Sequence, residues 1–129
     1  MALAKYGPAV EQRYRNPQGV GSFDATDPEV ATALVGSPQL GQVLKLQIRV
    51  RNGVVDAACF RAYGCGALIA TGALLAEVLP GLSLAQLQGM SSGDIVGPLQ
   101  LPQDKLHCAL LALDAIAAAV VDYQGKHAN

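Results

Sequence analysis

A strict alternation of residue types in the middle of the chain constrains the fold more than any other sequence feature. Apolar residues occupy every second position from Leu44 to Val50, and Lys, Gln or Arg fills each position between them. A period of two places the two sets on opposite faces of a strand, so the segment is predicted to be a half-buried β-strand. The following Asn52-Gly53 favours a tight hairpin turn, and residues 54–63 are predicted to be the return strand.

The register of this hairpin decides which face carries Cys59. A two-residue turn puts Cys59 on the face of Leu46, in the core, whereas a three-residue loop with Gly53 left-handed puts Phe60 there instead. We favour the three-residue loop because it keeps Phe60 inside and Arg61 outside. Cys59 is then expected on the outer face, beside Arg61.

Helices account for most of the remaining prediction. A short N-terminal helix is expected within residues 1–14, whereas residues 24–41 are rich in Pro, Gly and small polar residues and are expected to be mostly loop. Further helices are predicted over residues 67–79, from the capping-box pattern that starts at Ser83, from Ser92, and over residues 103–123, with a frayed tail at 124–129. The last helix is predicted to bury a stripe of large apolar residues: Leu106, Leu110, Leu113, Ile116 and Val120. Because the strands precede the helices, the fold class is predicted to be α+β.

Length and composition are consistent with one domain. The chain has 129 residues, of which 51% are hydrophobic and 15% are charged, which is enough for one core and argues against disorder. The formal net charge of −1 offers no basic surplus for nucleic acid. Uninterrupted apolar runs fall short of the roughly 18 residues that span a bilayer, so no membrane segment is expected. The N-terminus resembles no secretory signal.

The cysteines give the first indication of function. An odd count of three, without a visible export signal, predicts reduced thiols in a cytoplasmic protein. Cys65 has glycine on both sides and is predicted to lie where a strand meets a helix N-terminus, a position that favours thiolate. Cys108 directly follows His107 near the start of the last helix. Two thiolates and an imidazole would form a Cys₂His set, which suits an open zinc site or an iron–sulfur cluster.

A structural interpretation of these residues is also open, because buried cysteines are common and the chain has no Cys-x-x-Cys motif. Cys65 and Cys108 could each be ordinary core residues. Cys59 is expected to be a small filler residue without a chemical role, and His127 to be a solvated histidine of the tail.

Several segments in order carry a resemblance that favours the functional interpretation. They are Arg15-Asn-Pro-Gln-Gly-Val-Gly-Ser-Phe-Asp24, Val35-Gly-Ser-Pro38, Lys45-Leu-Gln-Ile-Arg49, Phe60-Arg-Ala-Tyr-Gly-Cys-Gly66, Leu106-His-Cys108, Asp114-Ala-Ile116 and Asp122-Tyr123. Over nearly its whole length the chain resembles the IscU family, also found as the N-terminal domain of NifU, a scaffold for iron–sulfur cluster assembly. The resemblance implies a three-stranded antiparallel sheet packed by four to five helices, the last of them long.

The resemblance also implies a site. Family members build a [2Fe–2S] cluster from iron and from sulfur that an IscS- or NifS-type cysteine desulfurase delivers as persulfide, and they pass it to apo iron–sulfur acceptor proteins. By position, it assigns Cys65, His107 and Cys108 as ligands and Cys108 as the persulfide acceptor. Lys105 occupies the basic position before the His-Cys pair. No catalytic residue is implied, because such a scaffold is not an enzyme.

The chain departs from the family at the first site motif, usually Pro-x-Cys-Gly-Asp. Here Leu40 replaces the cysteine and Gln42 replaces the aspartate. Leucine cannot bind a metal, and a neutral amide is a poor ligand for iron or zinc beside thiolates. Three good ligands then remain, unless Cys59 lies on the site side or a second molecule supplies another, for instance in a dimer. We expect a monomer or a weak dimer.

The segment that an Hsp70-type chaperone recognises in the family is altered as well. Its pattern Leu-Pro-Pro-Val-Lys becomes Leu101-Pro102-Gln-Asp-Lys105, which exchanges apolar side chains for polar and charged ones. This exchange argues against recognition by that chaperone. The segment can equally be a loop that precedes the last helix, with Asp104 favourable near the positive end of the helix dipole.

Three functions remain open at the level of sequence. The chain is a scaffold-like protein that binds iron or a [2Fe–2S] cluster and accepts sulfur, or a cluster-free paralogue that docks to the desulfurase as a regulator or persulfide acceptor, or a zinc-binding variant. The scaffold function is the first expectation, because the resemblance covers nearly the whole chain.

Overall fold

A computed structural model describes residues 7–128 and consists of a three-stranded sheet with five helices. The strands are β1 (Val30–Ser37), β2 (Gln42–Arg51) and β3 (Val54–Tyr63), and the helices are α1 (Pro8–Arg15), α2 (Gly66–Val78), α3 (Leu84–Gln88), α4 (Gly93–Leu99) and α5 (Leu106–Lys126). The sheet is antiparallel in the order β1-β2-β3. The predicted α+β class, with its small antiparallel sheet and long C-terminal helix, is confirmed.

The core lies between one face of the sheet and the helices α2 and α5. Leu44, Leu46 and Ile48 of β2 are fully buried, as the alternation predicts, and Phe60 of β3 is 2% exposed. The ring of Phe60 packs where α2 has Gly72, and a Cβ at that glycine would lie 2.3 Å from Phe60 Cδ2. The absence of a side chain at Gly72 therefore sets how closely α2 approaches the sheet.

The hairpin between β2 and β3 corrects one prediction and confirms another. Its loop has two residues rather than three, because Arg51 pairs with Val54 and both loop residues, Asn52 and Gly53, have positive φ angles of 55° and 75°. A register shift after Arg49 leaves one extra residue in β3. This bulge restores the expected register, with Phe60 opposite Leu46.

Cys59 therefore lies opposite Gln47 on the outer face of the sheet, as predicted, yet it is only 6% exposed. The N-terminal segment crosses this face: the Phe23 N–H donates to Gln47 Oε1, and Gln47 Nε2 donates to the Phe23 carbonyl and to Thr32 Oγ1. The N-terminal segment therefore covers the outer face of the sheet around Gln47 and Cys59 and buries both residues. The polar groups at this point are paired, as buried amides require.

The prediction that residues 24–41 are mostly loop is wrong, because β1 occupies residues 30–37 of them. Edge strand β1 pairs with β2 along its whole length, and α5 packs on it; the Thr32 N–H also donates to Asp122 Oδ2 of α5. Gly36 has a φ of +92°, and a Cβ there would lie 2.2 Å from the Gln42 carbonyl oxygen. Glycine is required there because β1 and β2 approach closely at the start of their hairpin.

The predicted apolar stripe of α5 is also partly wrong. Leu106 and Leu110 are 39% and 57% exposed, whereas the residues of α5 that face the core are mostly small: Cys108, Ala109, Ala112, Ala115, Ile116, Ala119 and Val120. Small residues let the helix axis lie close to the sheet, and the leucines are left outside. By length and composition, residues Gln103–Lys126 form the one described helix able to cross a bilayer; the core helix of a soluble protein meets the same test.

The two chain ends differ from their predicted boundaries. The N-terminal helix is described from Pro8 to Arg15, and the part predicted before residue 7 lies outside the described residues. At the other end α5 continues through Lys126, past the predicted start of fraying. Lys126 Nζ donates to the carbonyls of Ala25 and Val30, and the ring of His127 stacks on Tyr123. These contacts tie the end of α5 to the segment before β1, so His127 is exposed but not free of contacts.

Candidate metal centre

Three sequence-predicted ligands meet at one end of the sheet. Cys65 follows β3 and is the N-cap residue of α2, while His107 and Cys108 lie in the first turn of α5. The potential ligand atoms of these three residues all lie within 4.8 Å of one another. The end of β3 and the N-termini of α2 and α5 therefore bring Cys65 to two residues that lie 42 and 43 positions further along the sequence.

The two sulfur atoms form the centre of this cluster. Cys65 Sγ and Cys108 Sγ are 4.0 Å apart, and Cys108 Sγ is 3.7 Å from His107 Nε2. Cys108 is 0% exposed, Cys65 is partly exposed and His107 is exposed. An approaching reagent therefore reaches Cys65 and His107 before Cys108.

The side-chain amide of Gln42 contacts the ring nitrogen through which His107 would bind a metal. Its Nε2 lies 2.8 Å from His107 Nε2, the ring nitrogen that is also 3.7 Å from Cys108 Sγ. The Gln42 Oε1 atom is buried and has no hydrogen-bond partner among the described residues. A metal ion that bound His107 through Nε2 would have to displace this amide, whereas an aspartate at position 42 would be a ligand itself.

Leu40 projects from the tip of the β1–β2 hairpin. The tip is a 3₁₀ turn, Pro38–Leu40, closed by Gly41 in the left-handed conformation, and Leu40 is 81% exposed. Leu40, Gln42 and His107 line one groove together with Leu111. The position that carries a cysteine in the family thus borders the site but offers it a hydrocarbon side chain.

The thiols differ in their acid–base properties because they share one hydrogen bond. The bond from Cys108, together with backbone N–H groups at the start of α2 and the charge of Lys105, lowers the pKa of Cys65 to about 5 despite partial burial. The same bond and burial raise the pKa of Cys108. Cys65 is therefore the thiol of the pair that ionises first.

We expect alkylation of Cys65 by iodoacetamide in metal-free buffer to show this difference. Only thiolate reacts, so the Cys65 rate should stay high at neutral pH and fall as the pH drops through about 5. Cys108→Ala removes the donor and should move the midpoint upward, toward the usual value of about 8.5. Peptide mass spectrometry measures the rate at each cysteine. A midpoint near the usual value in the unaltered protein would contradict the assignment.

Cys59 does not reach this cluster. It lies on the outer face of the sheet, its thiol is 3.8 Å from Gln47 Oε1, and burial raises its pKa. α2 and α5, which carry the other two cysteines, pack on the opposite face. The structure therefore gives no support to Cys59 as a replacement for the missing ligand.

The altered chaperone-type segment lies directly before α5. Leu101 is buried, Pro102 and Lys105 are partly exposed, and residues 103–105 form a 3₁₀ turn that leads into the helix. Lys105 is close enough to lower the pKa of Cys65 through its charge. The segment therefore leads directly into the helix turn that carries His107 and Cys108, and weak recognition by a chaperone stays a prediction.

Sequence reasoning overlooked the role of Gln42 as partner of His107. The motif position of Gln42 gave a signal, since the residue expected there is a ligand of the same site. The hydrogen bond itself depends on the distance between β2 and α5, which only the fold shows.

Comparison with known proteins gives consistent results for sequence and fold. A family model described as NifU-like N terminal domain matches residues 5–129. The iron-sulfur cluster assembly scaffold protein IscU of Buchnera aphidicola subsp. Baizongia pistaciae is 45% identical over 123 residues, 95% of this chain and 98% of that protein. IscU of Escherichia coli strain K12 is also 45% identical, over 94% of this chain and 95% of its own.

A solved structure shows the same architecture. The N-terminal part of a NifU-like protein from Brucella abortus superimposes with a TM-score of 0.73, covering 93% of this chain and 94% of the other. The two sequences are 17% identical, so this similarity concerns the fold.

Proposed function

Because the chain belongs to the NifU-like N-terminal domain family, we propose that it carries iron or an iron–sulfur cluster as cargo on Cys65, His107 and Cys108. Sulfur would come from a cysteine desulfurase, and acceptor proteins would receive the product. The relatives from Buchnera and Escherichia coli are named as scaffolds for cluster assembly, which supports this proposal. The single observation that carries it is the convergence of three ligand atoms within 4.8 Å at the expected positions.

The donor set fits such a cargo incompletely. Two thiols and an imidazole are suitable ligands for iron, but a [2Fe–2S] cluster needs four ligands, and Leu40 provides none. Bound cargo would be less strongly held than in a protein with a full set, and the Gln42 amide would have to leave His107 first. A fourth ligand has to come from a small thiol, from a partner or from a second copy of the chain.

Exposed apolar residues around the centre support the proposed protein partners. Leu40, Leu106 and Leu110 are 81%, 39% and 57% exposed, and they lie at the hairpin tip and along the first turns of α5. A monomer in water gains nothing from such exposure, whereas a docking protein would cover these side chains. Leu40 lines a groove with His107, and Leu106 directly precedes His107, so a sulfur donor docked on these two side chains would lie close to the site.

Anaerobic reconstitution with iron(II) and sulfide tests the proposal. We expect visible charge-transfer absorption with iron and sulfide bound in equal amounts, and at least a roughly tenfold loss of both in Cys65→Ser and Cys108→Ser, because each removes a thiolate ligand. Cys59→Ser is the matched control and should load like the unaltered chain. A colourless protein without bound iron, under conditions that load Escherichia coli IscU, would contradict the proposal and favour the cluster-free alternative.

Zinc binding is the second candidate, and the composition of the site favours it. A Cys₂His set with one open position is a known zinc arrangement, and it requires no fourth protein ligand. Stoichiometric zinc that iron(II) does not displace would support this function over the first. Both functions require the same three residues, so the cargo itself distinguishes them.

A further inference from the structure

The two glycines that flank Cys65 each leave room for a neighbouring element. A Cβ at Gly64 would lie 3.4 Å from Gln42 Oε1, at the base of the β1–β2 hairpin. A Cβ at Gly66 would lie 3.0, 3.2 and 3.3 Å from the ring atoms Cδ1, Cγ and Cε1 of Tyr14 in α1. The backbone at Cys65 therefore packs against the hairpin through the glycine before it and against α1 through the glycine after it.

We propose that Tyr14 is a positioning residue of the metal centre, whose ring keeps the first turn of α2, and with it the Cys65 sulfur, in the place where a metal ion binds. The inference rests on the proposed function, because it concerns the same centre. It goes beyond that function by giving a role to a residue outside the ligand motifs. The tyrosine acts through Cys65 and is not itself a ligand.

The contact acts on Cys65 through the start of α2. Cys65 is the N-cap residue, and its carbonyl accepts the backbone N–H groups of Leu68 and Ile69 at 3.0 and 3.2 Å. These bonds tie the Cys65 backbone to the first turn, which begins at Gly66. A displacement of this turn therefore moves the Cys65 sulfur as well. Metal ligands have to be held within about 0.5 Å of their places, so such a displacement weakens binding.

Glycine makes the ring necessary at this point. Gly66 has no side chain of its own to pack, and glycine has more conformational freedom than any other residue. Without the Tyr14 ring, the first turn of α2 loses the packing that α1 gives it. The Cys65 sulfur can then leave its position 4.0 Å from Cys108 Sγ, and the two thiols no longer converge on one metal ion.

A charged contact beside Tyr14 attaches α1 to α2. Arg13 donates from Nε and Nη2 to the two carboxylate oxygens of Glu77 at 3.1 and 3.0 Å. Val10 of α1 is fully buried in the core, and Tyr14 is partly buried. The ring therefore belongs to a helix that is fastened to α2 on both sides of the contact with core and surface, and it offers Gly66 a defined packing surface.

Zinc binding to the reduced full chain tests the inference, with a chromophoric chelator as competitor. We expect Tyr14→Ala to bind zinc at least roughly tenfold more weakly, and Tyr14→Phe, which keeps the ring, to bind it like the unaltered chain. Tyr123→Ala is the matched control, because it removes a partly buried ring near the other end of α5, and it should change the affinity by less than about twofold. In a Cys65→Ser background, Tyr14→Ala should not lower the residual zinc affinity further, because the ring acts through that sulfur.

Alkylation of the metal-free chain gives a second measurement that does not depend on zinc. At about pH 9 Cys65 is largely ionised with or without the ring, so its alkylation rate reports access to the sulfur. Tyr14→Ala should raise this rate by about threefold or more, because the first turn of α2 becomes mobile. Cys59 is buried on the other face of the sheet and should stay protected as long as the chain is folded.

Three results would each overturn the inference: equal zinc affinity of Tyr14→Ala and the unaltered chain, a further loss of roughly tenfold on top of Cys65→Ser, or an unchanged alkylation rate at Cys65. If Tyr14→Ala exposes Cys59 and is therefore unfolded, Tyr14→Leu takes its place, since leucine keeps an apolar side chain without the ring, and the same loss is expected. An unaltered chain that binds neither zinc nor iron would contradict the proposed function alone, and the alkylation rates would then decide the inference.

Discussion

The double variant Leu40→Cys/Gln42→Asp is expected to bind zinc or iron(II) at least roughly 100-fold more tightly than the unaltered chain, and to hold more cluster after reconstitution. It adds a thiolate and a carboxylate to a site that has two thiols and an imidazole. Gln42 already contacts His107 at 2.8 Å, so the shorter carboxylate replaces a competing amide with a ligand. Leu40 is 81% exposed at a hairpin tip, so a cysteine there leaves the core unchanged.

Competition with a chromophoric chelator measures the affinity, and iron and sulfide analysis measures the cluster. Leu40→Ala and Gln42→Asn are the matched controls, because they change size without adding a charged ligand. Neither control should bind the metal much more tightly than the unaltered chain. The metal affinities of Leu40→Cys and of Gln42→Asp should each fall between those of the controls and that of the double variant. If the double variant binds no more tightly than the controls, the hairpin tip does not reach the centre that Cys65, His107 and Cys108 form.

Gly36→Ala is expected to lower the free energy of unfolding by about 3 kcal/mol. The added Cβ would lie 2.2 Å from the Gln42 carbonyl oxygen, a backbone atom, and the φ of +92° is itself unfavourable for alanine. Left-handed backbone strain of about 1–2 kcal/mol and overpacking of about 1–3 kcal/mol combine to this value. For a chain of this size the melting temperature should fall by about 10 °C. The added Cβ clashes with the backbone of Gln42, and the Gln42 side chain contacts His107. The affinity of the site for metal should therefore change as well.

Thermal unfolding followed by circular dichroism measures the effect. Gly125→Ala is the matched control: this glycine lies in the last turn of α5, and a Cβ there meets nothing within 4 Å. Alanine is the better helix former, so the control should be neutral or slightly stabilising. Equal melting temperatures for the two variants would contradict the prediction, because they would show that β1 and β2 can move apart at Gly36 without loss of stability.

Local sequence patterns correctly predicted the secondary-structure elements whose own residues carry a strong pattern. The alternation in β2, the Asn52-Gly53 turn and the capping box at Ser83 all correspond to observed structure; the Ser83 side chain accepts from the Gln86 N–H. β1 was missed because its sequence contains Gly36 and follows a polar, proline-containing segment. Its pairing with β2 and the packing of α5 provide the stability that its composition does not indicate.

The hairpin loop and the buried face of α5 show why local patterns were insufficient elsewhere. A bulge in β3 gave the same register as the predicted three-residue loop, and alternation alone does not distinguish the two solutions. Helix α5 is apolar on several sides, so its sequence does not show that the alanines face the sheet and that Leu106 and Leu110 face outward. The distance between α5 and the sheet determines which side of the helix is buried.

The candidate site was predictable as a set of residues but not as a geometry. The motifs around Cys65 and Cys108 placed both at element ends, where the structure brings their sulfur atoms to 4.0 Å. The burial of Cys108 and the bond between Gln42 and His107 depend on contacts among β2, β3 and α5. Sequence patterns in a single element contain no information about such distances.

The hairpin tip that carries Leu40 has an evolutionary consequence. Residues 38–41 connect β1 and β2 outside the core, so selection can add or remove a metal donor there by point mutation without endangering folding. Cys65 and Cys108, by contrast, are inherited with the packing of α2 and α5. A lineage with this architecture can therefore gain or lose a metal donor at the exposed hairpin tip while its framework stays the same.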